Sequence, residues 1–138
     1  MFDELKKYKN HGHFFFKPGD TLEDESKDVS DLPGVYYIIR LAGGKVELVY
    51  IGKSGSTKLK GKLKLSGLRN SINNKEEDLI GQDYFDKKFR EKNIDAVDIY
   101  WFVTFNDSCR DLPGYVEGLI KQFYYKVYGC LPEWNTAF

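Results

Sequence analysis

The chain of 138 residues has little cysteine, little histidine and no net charge. Its two cysteines, Cys109 and Cys130, form no CxxC pair and cannot build a disulfide framework. Two isolated thiols suit a reducing compartment. The two histidines, His11 and His13, have no cysteine near them, which is a weak pattern for a metal centre. Basic and acidic residues balance at 21 each, so overall charge argues for neither nucleic acid nor a membrane surface. No apolar run approaches the roughly 20 residues that span a bilayer. No charged-then-apolar leader opens the chain. The expectation is a soluble, cytoplasmic protein.

Hydrophobic residues make up 41% and aromatics 16%, which suits one folded domain with a packed core. The charges are unevenly placed. No acid occurs between Glu47 and Glu76, where Lys53, Lys58, Lys60, Lys62, Lys64, Arg69 and Lys75 all fall. From Asp20 to Asp31 the balance reverses, with six acids against one lysine.

Residues 1–32 read as an N-terminal extension: a short helix to Asn10, an aromatic run His13–Phe16 suited to an edge strand, then an acidic loop or helical turn. Residues 33–138 read as the main domain. Val35–Leu41 and Val46–Ile51 flank Gly43-Gly44 and predict a β-hairpin. Residues 52–68, rich in Gly, Ser and Lys, read as a mobile basic loop, with Lys58–Leu65 able to add a helical turn. A helix opens near Gly67 and ends near Asn73, residues 75–82 read as loop, and Asp83–Lys92 is helical with Phe85 and Phe89 on one face. Val97–Phe105 alternates with large apolar residues on both sides, as a central strand does. Pro113–Val127 is the best helix, with Pro113 at its first turn, Val116, Leu119, Ile120, Phe123 and Val127 as its stripe, and Gly129 as its stop. The fold class is α+β: a small three-stranded antiparallel sheet, the hairpin plus one central strand, flanked by helices.

The hairpin carries Tyr36 and Tyr50 at one end. A two-residue Gly43-Gly44 loop would oppose Tyr37 to Tyr50 and turn Tyr36 to the other face, because register has a period of two. A shared site for both phenols therefore calls for the odd loop Ala42-Gly43-Gly44, or for a bulge that compensates. Phosphodiester hydrolysis needs a proton acceptor, charge on the phosphate oxygens and usually a metal. Tyr36 and Tyr50 can take or align a proton, but a phenol of pKa about 10 needs a neighbouring cation to lower it. Arg69 is a planar fork suited to phosphate. Glu117 lies one residue off the apolar stripe of its helix, and one carboxylate suffices for Mg²⁺ or Mn²⁺ that keeps its waters. Taken singly, the tyrosines are strand-packing residues and Arg69, Glu117 and the lysines are solvated charges. Only their ordered combination points to chemistry.

That combination resembles the GIY-YIG nuclease family, from about residue 33 to residue 135. Gly34-Val35-Tyr36 and Tyr50-Ile51-Gly52 match the two halves of the naming motif, with Val for Ile. Arg69 matches the family's helix-borne arginine by order, although Lys60 and Lys62 lie nearer its usual place. Glu117 matches the metal-binding glutamate, and Asn135 the downstream asparagine. The long interval from Tyr50 to Arg69 is similar to that of the restriction-enzyme branch. The resemblance implies a divalent-metal-dependent DNA endonuclease, with Tyr36, Tyr50, Arg69 and Glu117 catalytic and Glu117 on the metal. Lys53, Lys58, Lys60, Lys62 and Asn135 would contact DNA, and specificity would come from the N-terminal extension, the loop 53–68, a second copy or a partner. The alternatives are a non-catalytic nucleic-acid-binding module on the same fold and a protein-interaction domain using the acidic segment and the aromatic tail.

Overall fold

The computed structural model describes residues 2–74 and 80–137, and residues 57–59 by their backbone alone. The expected loop at 75–82 falls largely outside the described residues. The architecture is α+β, built on a four-stranded antiparallel sheet in the order β1-β6-β2-β3. Its strands are β1 (His11–Phe16), β2 (Gly34–Ala42), β3 (Lys45–Lys53) and β6 (Ala96–Val103). A separate two-stranded ribbon pairs β4 (Ser56–Leu59) with β5 (Lys62–Leu65). Four α-helices complete the described elements: α1 (Leu22–Glu25), α2 (Leu68–Ile72), α3 (Gln82–Glu91) and α4 (Pro113–Tyr128). Among the described residues, no helix is long and apolar enough to cross a membrane.

The sheet has four strands rather than three because residues 11–16 join it. β1 pairs with β6 from His11↔Phe102 to Phe16↔Val97. Before it, Phe2, Leu5 and Tyr8 are buried in the core, although the backbone there makes only a 3₁₀ turn at Asp3–Leu5. Residues 1–32 thus contribute a strand to the sheet and side chains to its packing. The strand expected to be central is central: β6 lies between β1 and β2.

Alternation along the strands builds two cores. Tyr36, Ile38, Val97, Ile99, Trp101 and Val103 pack with Leu22 of α1, Leu68 and Ile72 of α2, and Phe85 of α3. Val35, Tyr37, Leu48 and Ile51 face the other way, against Val116 and Ile120 of α4 and the N-terminal Phe2, Leu5 and Tyr8. Pro113 starts α4, and Gly129 ends it in the left-handed region at φ 71°. The apolar stripe expected along α4 is only half used. Val116 and Ile120 are buried, whereas Phe123 and Val127 are exposed. The last turns of this helix extend past the sheet.

The β2–β3 connection is the even loop. Ala42 pairs with Lys45 across Gly43-Gly44, and both glycines have positive φ, at 57° and 78°. This is the backbone that a tight hairpin requires and that glycine adopts without a Cβ penalty. The register then shifts by one between Ile38 and Ile39, so Ile38 faces Tyr50 and Tyr36 faces Gly52. A bulge, not a three-residue loop, brings Tyr36 and Tyr50 to the same face.

Burial holds the phenols of Tyr36, Tyr37 and Tyr50 above their ordinary range, Tyr37 to about 12. In the unfolded chain each titrates near about 10. The stability they contribute is full below that pH and is lost as pH rises through the folded values. The fold is therefore expected to stay intact through neutral pH and to unfold in alkali, with tyrosinate absorbance rising together with loss of near-ultraviolet circular dichroism. Ionisation of all ten tyrosines in a chain that keeps its dichroism would contradict this packing.

Candidate active site

Tyr36 lies on β2 and Tyr50 on β3, and their rings stack with centroids 6.0 Å apart at 27°. Beneath them is Gly52. A Cβ on Gly52 would lie 2.6 Å from Tyr36 Cζ, 2.6 Å from Tyr50 Cε1 and 2.7 Å from the Tyr36 hydroxyl oxygen. The glycine of Tyr50-Ile51-Gly52 is therefore a matter of space: its bare Cα lets the two phenols close over the strand. Gly34 meets a similar limit, since a Cβ there would run into the carbonyl of Phe102 on β6.

Tyr36 is only 3% exposed, and Tyr50 is partly exposed. Burial raises both phenols first of all. The Tyr50 phenol raises Tyr36 further, and Tyr36 in turn eases ionisation of Tyr50. The Glu117 carboxylate acts on both in the upward direction. Tyr36 is thus the buried phenol of the pair and Tyr50 the outer one. Tyr84 of α3 joins the group electrostatically and is itself raised by burial and by Tyr50. Its ring meets Trp134 edge-on at 6.1 Å.

Glu117 acts on this group electrostatically from α4. Val116 and Ile120 anchor that helix to the sheet, and Glu117 is set just off the buried side. Its partner is Lys121, one turn on, with Nζ 3.4 Å from a carboxylate oxygen. Lys121 is only 5% exposed and also donates to the Ala137 carbonyl at 3.3 Å. An i,i+4 Glu–Lys pair beside an apolar stripe is legible in sequence, yet Lys121 was not among the expected site residues. Tyr84, next to Phe85 on a short helix, carries no comparable signal.

Arg69 is held elsewhere. Its Nε donates to the Ser26 carbonyl at 3.3 Å and an Nη to the Glu23 carbonyl at 3.1 Å, at the end of α1. It lines a cleft with Thr21, Glu23, Asp31, Asn73 and Gln82, a cleft to which Tyr36, Tyr50 and Glu117 do not contribute. The cation that the fold brings to Glu117 is Lys121.

Asn135 acts on backbone. Its Oδ1 accepts from the Ile51 N–H and its Nδ2 donates to the Ile51 carbonyl, both at 2.9 Å. The neighbouring Trp134 N–H bonds the Val49 carbonyl at 2.8 Å. The tail thus takes the place of a further strand along the open edge of β3, and the Asn135 amide is engaged there. Lys53 lays its aliphatic stem 4.0 Å from where a Cβ of Gly114 would be, beside the first turn of α4. Lys60 and Lys62 are exposed on the ribbon, and the Lys58 side chain lies outside the described residues.

Among the described residues no three His, Cys, Asp or Glu side chains gather as a ligand cluster. A cation here would rest on Glu117 with water completing its shell. That donor set fits a hard, hydrated ion such as Mg²⁺ or Mn²⁺ and not a soft metal that needs nitrogen or sulfur. Lys121 already neutralises the same carboxylate, so a metal would share Glu117 with it or displace it. No family model matches the chain, and no curated protein and no solved structure matches it.

Asn135→Ala should destabilise the fold by about 1–3 kcal/mol, because it leaves both polar groups of Ile51 without their partner. Asn135→Asp should not rescue it, since a carboxylate cannot donate to the Ile51 carbonyl. Urea unfolding of the variants measures this. A wild-type midpoint for Asn135→Ala would mean that the clamp is not needed.

Proposed function

We propose that the chain is a divalent-metal-dependent DNA endonuclease of the GIY-YIG kind, which hydrolyses phosphodiester bonds. The observation that carries the reading is the stacked pair Tyr36 and Tyr50 closing over a glycine that has no room for a side chain, with the Glu117 carboxylate of α4 within electrostatic range of both. The motif halves that carry the resemblance are the same residues that build this group.

In this reading Glu117 holds Mg²⁺ or Mn²⁺, which when bound supplies positive charge for the phosphate oxygens. Tyr50, the outer phenol, loses its own proton to solvent and as tyrosinate takes the proton from the attacking water, with the Tyr36 ring stacked against it. Lys121 keeps a positive charge beside Glu117 and ties α4 to the tail. Asn135 holds the Ile51 backbone, and with it the spacing of Tyr50 and Gly52. Lys53, Lys60 and Lys62 meet the DNA backbone. Arg69 contributes through the fold, by joining α2 to the end of α1.

A second reading, a nucleic-acid-binding module without catalysis, is favoured by the Glu117–Lys121 ion pair and by phenols held firmly protonated. Incubation with plasmid and Mg²⁺ or Mn²⁺ separates the two. Wild-type protein should nick or linearise the DNA, and Glu117→Gln should lose cutting while keeping binding. Intact plasmid at high protein with either metal, or undiminished cutting by Glu117→Gln, would count against the nuclease.

Arg69→Ala should lower stability by about 1 kcal/mol and leave the folded protein's cleavage rate within a few-fold. A drop of about 100-fold in kcat with unchanged stability would return Arg69 to the chemistry, since that is the scale on which a lost transition-state donor acts.

A further inference from the structure

The lysine-rich stretch after Gly52, expected to be a mobile loop, is a β-ribbon. β4 and β5 pair from Ser56↔Leu65 to Leu59↔Lys62. The turn between them has Lys60 at φ 51° and Gly61 at φ 78°, the positive pair that a two-residue hairpin turn uses. Alternation gives the ribbon two unlike faces. Ser56, Leu63 and Leu65 border a cavity of about 190 Å³ shared with Leu112, Pro113 and Tyr115 at the start of α4. Lys62 and Lys64 fall on the opposite face and are exposed, as is Lys60 at the tip.

The root of the ribbon is fastened to the tyrosine hairpin. The Ser54 N–H bonds the Gly34 carbonyl at 2.9 Å, and Ser54 Oγ accepts from the Gly34 N–H at 3.0 Å. Gly55 donates to Ser71 Oγ of α2 at 2.9 Å, and its carbonyl accepts from the Ser66 N–H at 2.8 Å. The ribbon therefore starts from backbone bonded to Gly34, two residues before Tyr36, and leaves β3 just beyond Tyr50.

We propose that this ribbon is a DNA-reading arm that lies in the major groove of a B-form duplex, with the Lys62–Lys64 face and the Lys60 tip turned to the DNA. The proposal rests on the nucleic-acid reading above and deepens it by naming the substrate as duplex DNA. A two-stranded ribbon has the width that the B-form major groove, about 12 Å across, admits. The deep, narrow major groove of an RNA duplex does not admit it. Residues 48–75 hold no acid to repel phosphate. Four-residue strands beyond Gly55 reach about 15 Å, so the tip would sit about 4–5 base pairs from the phosphate at the tyrosines. Of the sources of specificity expected from the sequence, the N-terminal extension, the stretch 53–68, a second copy or a partner, the arm assigns it to the stretch 53–68.

Binding of fluorescently labelled duplex DNA, duplex RNA and single strands, measured by anisotropy in EDTA across a salt series, tests the arm. The full chain should prefer duplex DNA, and methyl green, a major-groove ligand, should compete where the minor-groove ligand netropsin does not. Lys62→Gln/Lys64→Gln should lower the salt slope by about 2 and the affinity by about tenfold or more at low salt. Lys87→Gln on α3 should leave both unchanged. An unchanged slope in the double variant, equal affinity for duplex RNA, or competition by netropsin alone would overturn the proposal and leave the lysines as guards of an edge strand. The nuclease reading fails separately. A chain that binds through the ribbon but never cuts with Mg²⁺ or Mn²⁺ overturns catalysis alone, and one that cuts with both lysines replaced and its salt slope intact overturns the arm alone.

Discussion

Two phenols closing over one bare Cα set the geometry of this molecule's centre. Gly52 leaves less than 3 Å between a notional Cβ and both rings, so any side chain there would push Tyr36 and Tyr50 apart. For the rings to meet at all, the strand carrying Tyr50 must gain a residue on the strand carrying Tyr36, and the bulge between Ile38 and Ile39 supplies it. Around this contact the tail bonds the outer edge of β3 through Trp134 and Asn135, and Ser54 bonds Gly34 across the ladder. The environment so made is dry, which is why both phenols hold their protons more firmly than in water.

The acidic and basic blocks, separate in the sequence, meet in the fold at Arg69. The acidic segment supplies the carbonyls of Glu23 and Ser26 that hold Arg69, and so joins α1 to α2 behind the sheet. The basic segment instead forms the ribbon, with Leu63 and Leu65 bordering the start of α4 and Lys60, Lys62 and Lys64 exposed. A chain of zero net charge thereby presents a strongly basic element close to its tyrosines. Lys121 is the one described lysine buried to 5%, and it pairs with Glu117.

Much of the fold was legible because it follows from local pattern. The alternation in 97–105 placed β6, and Pro113 with Gly129 bounded α4, since each depends on backbone preferences within a few residues. The stripe of α4 was read too far, as Phe123 and Val127 fit the helical period but find no partner surface. The ribbon was missed because short strands of alternating Lys and Leu carry little more strand signal than a polar loop. Residues 11–16 were seen as a strand, yet their partner β6 lies more than 80 residues on, beyond what any window of sequence reveals.

By itself the sequence determined that Tyr36 and Tyr50 lie near one end of a glycine-turned hairpin and that Glu117 sits at the border of a buried helix face. Both follow from periods of two and of 3.6 residues per turn that act within each element. The tertiary structure alone decided that a bulge sets the register, that Arg69 binds α1 while Lys121 binds Glu117, and that Asn135 bonds Ile51. Those outcomes depend on how separate elements pack, and a long cation or an amide takes whichever partner packing brings within hydrogen-bond reach.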